Sequence, residues 1–446
     1  MTGRPLAFVN ARLLDPATGL DAPGGLLVRD RRIVALGPEI AAGALPGDTE
    51  IVECGGHCLS PGLVDMRATS GEPGHEHRET IASAGAAAAA GGVTALAYLP
   101  NTDPPIDTVA VLEFVVHRAR KARGVKVFPY GCATRGAAGT AMTEMGLLAE
   151  AGAVAVTDGN RAIGDPLVMY RVLSYAAGFD LLVVQHPEEP RLADGGAMNA
   201  GETATRLGLV GIPAQAEVMI VERDLRLLEL TGGRYHVAHI STAAAIDAVR
   251  QAKRRGLAVS CDTAPPYFAL TEADVGDYRT FAKLSPPLRD EADRRAVVDG
   301  LADGTIDVIA SDHLPHDQEA KRQPFAQAEP GIVGLETLLP LALELHHQGR
   351  IGLLDLLARL TQRPAELLRL PLGRLAVGGA ADLVLFDLDT PGRIAVDGFH
   401  GKSKNSPFDG RPIAGRVLRT LVDGRTVFSA EGCVPVEKPA GPMPTG

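Results

Sequence analysis

Groups able to handle a metal, a proton or an anion stand in this chain where apolar runs end. Arg67 and Thr69 follow Leu63-Val64-Asp65-Met66, Asn101 follows Leu99-Pro100, and Asp158 follows Val156-Thr157. Gln185-His186 close another run, His239 follows Tyr235–Ala238, and Asp312-His313 end the last one, with His316 just beyond. Imidazoles and carboxylates gathered at strand ends are the donors that hold divalent ions, which acidify water and polarise an amide carbonyl. Each residue also has a plainer reading. His239 can be a hydrogen-bonded histidine at a strand end. Asp312 can be a buried charge paired with arginine or histidine, because unpaired burial is costly. His186 is a register-shifted candidate for the position of Gln185, but it adjoins Gln185 on a strand, so alternation is expected to turn it away from the face that Gln185 reaches. His75 and His77 precede a helix and are expected to be solvated. Asn101 either meets a ligand or caps the turn before Pro104-Pro105. His313 and His316 are expected to shape the loop after the last strand, where one of them can bind an anion. Cys54-Gly-Gly-His-Cys58 has a metal-like spacing but no second ligand pair nearby.

These positions are useful only if a scaffold brings the strand ends together. Between about 61 and 370 strand and helix patterns alternate. Strands are expected at Leu63–Arg67, Thr94–Leu99, Val125–Tyr130, Ala153–Thr157, Leu181–Gln185, Tyr235–Ile240, Leu257–Asp262 and Asp307–Ser311. Helices are expected at 76–90, 108–123, 143–151, 166–177, 214–231, 242–255 and 290–303, with two more at 335–348 and 353–369. Glycine follows most of these helices as a stop signal. Apolar parallel strands separated by helices read as a closed (β/α)8 barrel of the TIM type, whose active site lies at the C-terminal strand ends. Residues 1–60 and 371–433 alternate with period two and are expected to form one small composite β-sandwich domain. The proline-rich residues 434–446 are expected to be disordered.

The 446 residues, 46% hydrophobic and 22% charged, are those of an ordinary globular chain with a large core. A net charge of −10 without a Lys/Arg run excludes a general nucleic-acid binder. The five cysteines are odd in number and scattered, which suits a reducing compartment. Neither a signal peptide nor a membrane span is evident, and a cytoplasmic location is expected.

The segments Pro61-Gly-Leu-Val-Asp, Glu72-Pro-Gly-x-Glu-x-x-Glu-Thr, Pro100-Asn-Thr, Tyr235-His-Val-x-His-Ile-Ser-Thr, Pro286-Pro-Leu-Arg, Ser311-Asp-His-x-Pro-His and Gly331-Ile-Val-Gly-Leu-Glu-Thr together resemble the dihydroorotase family of cyclic amidohydrolases, over roughly residues 5–430. The resemblance implies an amidohydrolase barrel and zinc held by histidines and acids. It also shows which positions have changed. The family's Asp-x-His-x-His-x-Arg-Glu-Pro-Gly places its zinc histidines on Arg67 and Thr69, and its arginine on Gly71. Its bridging acid falls on Gly159, after Thr157-Asp158. The strand-five histidine of Val-Ala-His-Cys-Glu-Asp is assigned to Gln185, and a substrate asparagine to Ser285. His239 and Asp312 are retained as ligand positions and Asn101 as a substrate-facing one, with His316 a further substrate-binding candidate. Thr and Gln are weak neutral ligands, Gly offers none, and a guanidinium is always charged. Arg67 is therefore expected to replace the metal's charge by a bidentate pair with Asp312 or Asp158.

Three readings follow from the resemblance. Degenerate chains of this kind accompany aspartate carbamoyltransferase in bacterial pyrimidine synthesis, so a non-catalytic partner of that enzyme without a cofactor is the leading expectation, with homodimerisation. The second reading is an active dihydroorotase, cyclising N-carbamoyl-aspartate with one zinc on His239, Asp312 and a further ligand. The third is a barrel turned binder of another small molecule, or a cytoskeletal scaffold.

Overall fold

The first and last elements of the described residues are strands, and they belong to one sheet. The computed structural model describes residues 4–430, and eight strands form that sheet. Leu6–Asp15, Leu20–Arg29 and Arg32–Gly37 are successive antiparallel neighbours. Glu50–Glu53 and Cys58–Pro61 both run parallel to the first of them. Leu383–Arg393 then pairs antiparallel with Cys58–Pro61, placing Leu383 opposite Pro61, and Pro412–Val422 and Arg425–Ser429 complete the order. Phe8, Leu13, Leu26, Leu59, Leu383 and Leu385 from both ends share one apolar cluster. The alternating neighbours Leu14, Cys58, Val384 and Phe386 join a second cluster with the helices, so the middle of this sheet is buried on both faces. The tail expected to be disordered, 434–446, lies outside the described residues.

Between these ends the strands are parallel. Leu63–Ala68, Val93–Tyr98 and Lys126–Pro129 form one sheet, and Leu182–Gln185, Arg234–Val237, Val259–Thr263 and Val308–Ile309 a second. The expected strand at Ala153–Thr157 is reduced to Val156, which bridges Gly131 on one side and Val183 on the other. Its amide donates to the Leu182 carbonyl (3.0 Å), while the Thr157 amide turns back to Gly131 (2.9 Å), so no longer ladder forms. At the other limit Ala68 bridges His313, the Thr69 amide donating to the His313 carbonyl (3.0 Å) and the His313 amide to that of Arg67 (3.2 Å). The end of the first parallel strand thus lies beside the segment that follows the last.

The parallel strands carry buried apolar residues on both faces, as burial on both sides requires. Met66, Ala97, Leu182, Val184 and Val308 pack together, whereas Leu63, Leu96, Val183, Val237 and Ile309 pack with the helices. Two helices differ from expectation. The first spans Ile81–Ala90, because the Thr80 hydroxyl accepts from the Ser83 amide and the Ser83 hydroxyl from the Thr80 amide, a reciprocal cap that fixes the start. The expected 353–369 helix is two, Leu353–Leu360 and Gln362–Leu367, broken at Thr361 (φ −132°) ahead of Pro364, which has no amide to continue the ladder.

Candidate active site

At the meeting of the first and last parallel strands, Arg67 is buried to 1% exposure, and its Nε donates to Asp312 Oδ1 (2.7 Å). The ion pair has one prong where two were expected. The reason is that Nη2 is drawn across to Asn160 Oδ1 (2.6 Å) and the Gly159 carbonyl (3.3 Å). Asp158 does not meet Arg67, because its Oδ1 accepts from the Thr134 amide (2.8 Å) and its Oδ2 from the Thr134 hydroxyl.

The second oxygen of Asp312 faces His239 Nδ1 (3.1 Å), and His239 Nε2 faces His186 Nδ1 (2.8 Å). An ionised carboxylate only accepts, so Nδ1 of His239 carries the proton, its Nε2 accepts, and His186 Nδ1 donates. Burial would raise the Asp312 carboxyl, but His239 and Arg67 hold it well below the usual carboxylate range. Burial, reinforced by Arg67, moves His239 the other way, below the ordinary imidazole range. Both residues have left-handed backbone, with φ of 49° at Asp312 and 36° at His239, a conformation that side-chain-bearing residues keep only where their surroundings impose it. Two imposing bonds stand on either side. The His239 amide donates to Asp262 Oδ1 (2.7 Å), and the Ser311 amide to Asp65 Oδ1 (2.8 Å).

The assignment of the strand-five position to Gln185 is corrected by this geometry. Val184 belongs to the set facing Met66 and Val308, so two-residue alternation places His186 there and turns Gln185 toward the helices. Gln185 Nε2 donates to Asp224 Oδ2 (3.2 Å), behind the strand. His186, expected to face away, is at the centre. Read in frame from Val184, the pattern Val-Ala-His-Cys-Glu-Asp puts its histidine on His186 and its first acid on Glu188. That frame was the available signal for both residues. Glu188 Oε2 accepts the Ser285 hydroxyl (2.7 Å) and stands 3.5 Å from His186 Nε2, while Ser285 Oγ lies 3.4 Å from that same nitrogen. Burial would raise the Glu188 carboxyl, but His186 and Ser285 hold it below its ordinary range.

The positions where glycine replaces a family side chain have been closed from within. Gly159 has φ +69°, and a Cβ there would overlap the Asn101 amide. Asn101 Nδ2 donates to the Asp158 carbonyl (3.2 Å) and its Oδ1 accepts from the Asn160 amide (3.1 Å), so this substrate-facing candidate clamps the 158–160 turn instead. Gly71 has φ +82°, and a Cβ would come within 2.9 Å of His75 Cβ. The Thr69 hydroxyl accepts from the Gly71 amide (3.2 Å).

His236 supports the centre from behind, its Nε2 facing Asp262 Oδ2 (2.8 Å), whereas His316, His313 and His77 make their contacts elsewhere. His316 is buried with Nε2 against the Pro330 carbonyl (2.9 Å), and it lines a different cavity from the one bordered by Ser285. His313 accepts from the Gly334 amide (3.2 Å), and burial pushes its imidazole down to about 3. His77 pairs with Asp317 at 3.3 Å on the surface. Cys54 and Cys58 are both buried.

The implied zinc can be tested against these donors. His239 has both ring nitrogens engaged and Asp312 both oxygens, and the charge beside them is a guanidinium that cannot be deprotonated. A catalytic zinc takes three protein ligands and an open position. Among the described residues no group of three or more His, Cys, Asp or Glu is disposed to hold a metal ion. The residues present do not fit zinc at the Arg67 position.

Residues 56–245 match the family model described as dihydro-orotase-like, and residues 205–427 the one described as amidohydrolase family. A dihydroorotase of Anaplasma phagocytophilum (strain HZ) is 46% identical over 429 residues, covering 96% of each chain. That of Syntrophotalea carbinolica is 43% identical over 423 residues, covering 95% of this chain and 99% of its own. The L-hydantoinase structure from Arthrobacter aurescens superposes with a TM-score of 0.84 at 26% identity over 94% of this chain and 95% of its own. The dihydropyrimidinase structure from Brevibacillus agri gives 0.80 at 21% identity, covering 95% and 94%, and attests the α/β amidohydrolase fold alone. No helix among the described residues is long and apolar enough to cross a membrane. By its matching models and its extent of identity, this chain belongs to the dihydroorotase family of amidohydrolases.

Proposed function

We propose that this chain serves pyrimidine biosynthesis as a dihydroorotase-family protein that needs no metal and opens no ring, acting as a companion subunit of aspartate carbamoyltransferase. The observation that carries the reading is Arg67. Its guanidinium neutralises Asp312, one of the retained ligand positions, where a dication would otherwise be required. A metal in a centre of this type supplies charge for a bound carbonyl and an acidified water. Here Arg67 and His239 balance Asp312 internally, and neither Gly71 nor Gly159 offers a group to a substrate. Such a chain keeps its fold and surface while its centre becomes internal support. We also infer that the parallel strands close as a (β/α)8 barrel beside a separate β domain. The bridges Gly131–Val156–Val183 and Ala68–His313 support the closure, and the sheet shared by both chain ends supports the division.

The test is to measure zinc and dihydroorotate hydrolysis in the purified protein, then to mix it with aspartate carbamoyltransferase from the same organism. Zinc-free, inactive protein that co-elutes with the transferase is expected. Stoichiometric zinc with robust turnover would defeat the reading.

A second reading, an active dihydroorotase with a reduced metal site, is favoured by two observations. Relatives at 43–46% identity carry that name, and His186, His239 and Asp312 remain in contact. It requires Arg67 to swing out so that those three can turn to one ion, and zinc-dependent turnover would establish it.

A further inference from the structure

A cavity of about 400 Å³, within the range of small-molecule sites, lies between the C-terminal ends of the helices Val109–Ala122 and Met145–Glu150. It shares no lining residue with the centre at Asp312. Arg120 and Arg123, from the end of the first helix, and Arg425, from the last strand, bring three exposed guanidinium groups to it. None of the three forms an ion pair among the described residues. Arg425 Nη2 donates to the Arg123 carbonyl (2.5 Å), which sets the strand's cation beside the helix end and answers a carbonyl that the helix leaves open. The side chains of Arg120 and Arg123 have no protein acceptor among the described residues. Asp423, the carboxylate in the lining, is already held by Lys126 Nζ (2.8 Å), which also binds Asp382 (2.6 Å). Acidic residues outnumber basic ones by 54 to 44 in this chain, so three unpaired cations around one space do not reflect composition. The lining also includes Val116, Val127 and Phe128, apolar side chains left half-buried. At Gly152 (φ +108°) a Cβ would meet nothing within 4 Å, so that side is open.

We propose that this cavity binds an organic polyphosphate of nucleotide size, its phosphates on Arg120, Arg123 and Arg425 and its apolar body against Val116, Val127 and Phe128. Guanidinium groups match phosphate oxygens bidentately and keep their charge at every physiological pH. Like charges gathered without a counter-ion repel one another, and a polyanion relieves all of these repulsions at once. A single carboxylate would answer only one of the three cations. The apolar side chains add area that a bare anion would leave in water, so the ligand's body contributes to affinity. Because the cations come from a helix of the parallel array and from the terminal strand, the bound ligand also ties those two elements together.

Calorimetric titration of the full-length protein with ATP, in EDTA to exclude magnesium, tests it. Saturable binding is expected, and it should weaken as sodium chloride is raised. Pyrophosphate should compete with ATP while binding more weakly, and adenosine should not compete. Arg120→Gln and Arg425→Gln should each weaken ATP binding about tenfold, the equivalent of one charge-assisted hydrogen bond. Both positions are exposed, and an unchanged circular dichroism spectrum verifies that each variant is folded. Arg254→Gln, at an exposed arginine on the helix Ala243–Arg254, should leave binding unchanged. Absence of saturable ATP binding, binding unaltered in Arg120→Gln and Arg425→Gln, or an equal loss in Arg254→Gln would overturn the proposal, as would competition by adenosine alone. None of these outcomes bears on zinc or turnover, so the proposed function is tested separately.

Discussion

Arg67 and Asp312 lie 245 positions apart and meet through one 2.7 Å contact, Nε to Oδ1, beside the bridge that joins the first parallel strand to the segment after the last. The contact neutralises a carboxylate that His239 also touches, and it ties the two limits of the parallel array together.

Removing one partner of a buried pair leaves the other charge unsupported. Arg67→Met is therefore expected to cost about 3 kcal/mol, and Arg67→Met with Asp312→Asn much less, because the second change removes the stranded charge. Chemical denaturation of both variants measures this. A double variant as unstable as the sum of its single changes would refute the coupling.

Asp312→Ala should lower stability without altering catalysis, since under the proposed function there is none to alter. A dihydroorotate hydrolysis rate present in the wild type and lost in this variant would contradict that expectation.

Restoring donors on the first strand offers a gain-of-property test. Arg67→His with Thr69→His supplies two imidazoles beside Asp312 and His239 and removes the guanidinium. Zinc content should rise from near zero to about one per chain, as three or more ligands become available. Turnover should stay absent, because Gly71 and Ser285 are unchanged. Metal analysis and the hydrolysis assay read the two outcomes separately.

Gly71→Arg, which restores the family residue, should destabilise by about 1–3 kcal/mol. The residue must keep φ +82°, and its Cβ would press on His75. A variant as stable as the wild type would show that the 71–75 turn can move.

Burial pushes the Asp65 carboxyl up to about 7, despite the bonds it accepts from Ser311. In an unfolded chain the value is about 3.9. Between those two values the folded protein holds a proton that the unfolded chain has released, so this residue's contribution to stability declines as pH rises through the interval. Asp65→Asn lacks the titration. The wild type should therefore gain in melting temperature relative to Asp65→Asn on going from about pH 8 to about pH 5. A difference independent of pH would rule out this assignment.

Much of the fold was legible because each strand and helix carries its own period and its own stop. The shared sheet followed from alternation at both termini, and the Arg67–Asp312 pair from the cost of a buried carboxylate. Three features were not legible. Val156 has strand composition, yet its ladder depends on how Gly131 and Val183 approach it from either side. Facing direction at 185–186 depends on a register that a one-residue slip inverts, which turned the candidate His186 the wrong way and hid Glu188. The role of Asn101 was open because clamping the 158–160 turn depends on the absence of a side chain at Gly159.

The pairing of Cys58–Pro61 with Leu383–Arg393 also sets an order of events during synthesis. At roughly 5–20 residues per second, a ribosome needs about 16–64 seconds to travel from Pro61 to Leu383. Throughout that interval the N-terminal strands present an unpaired edge, the template on which chains add to one another. A transcript truncated before Leu383 would leave that edge permanently open, and its product is expected in inclusion bodies even if every parallel strand has already formed.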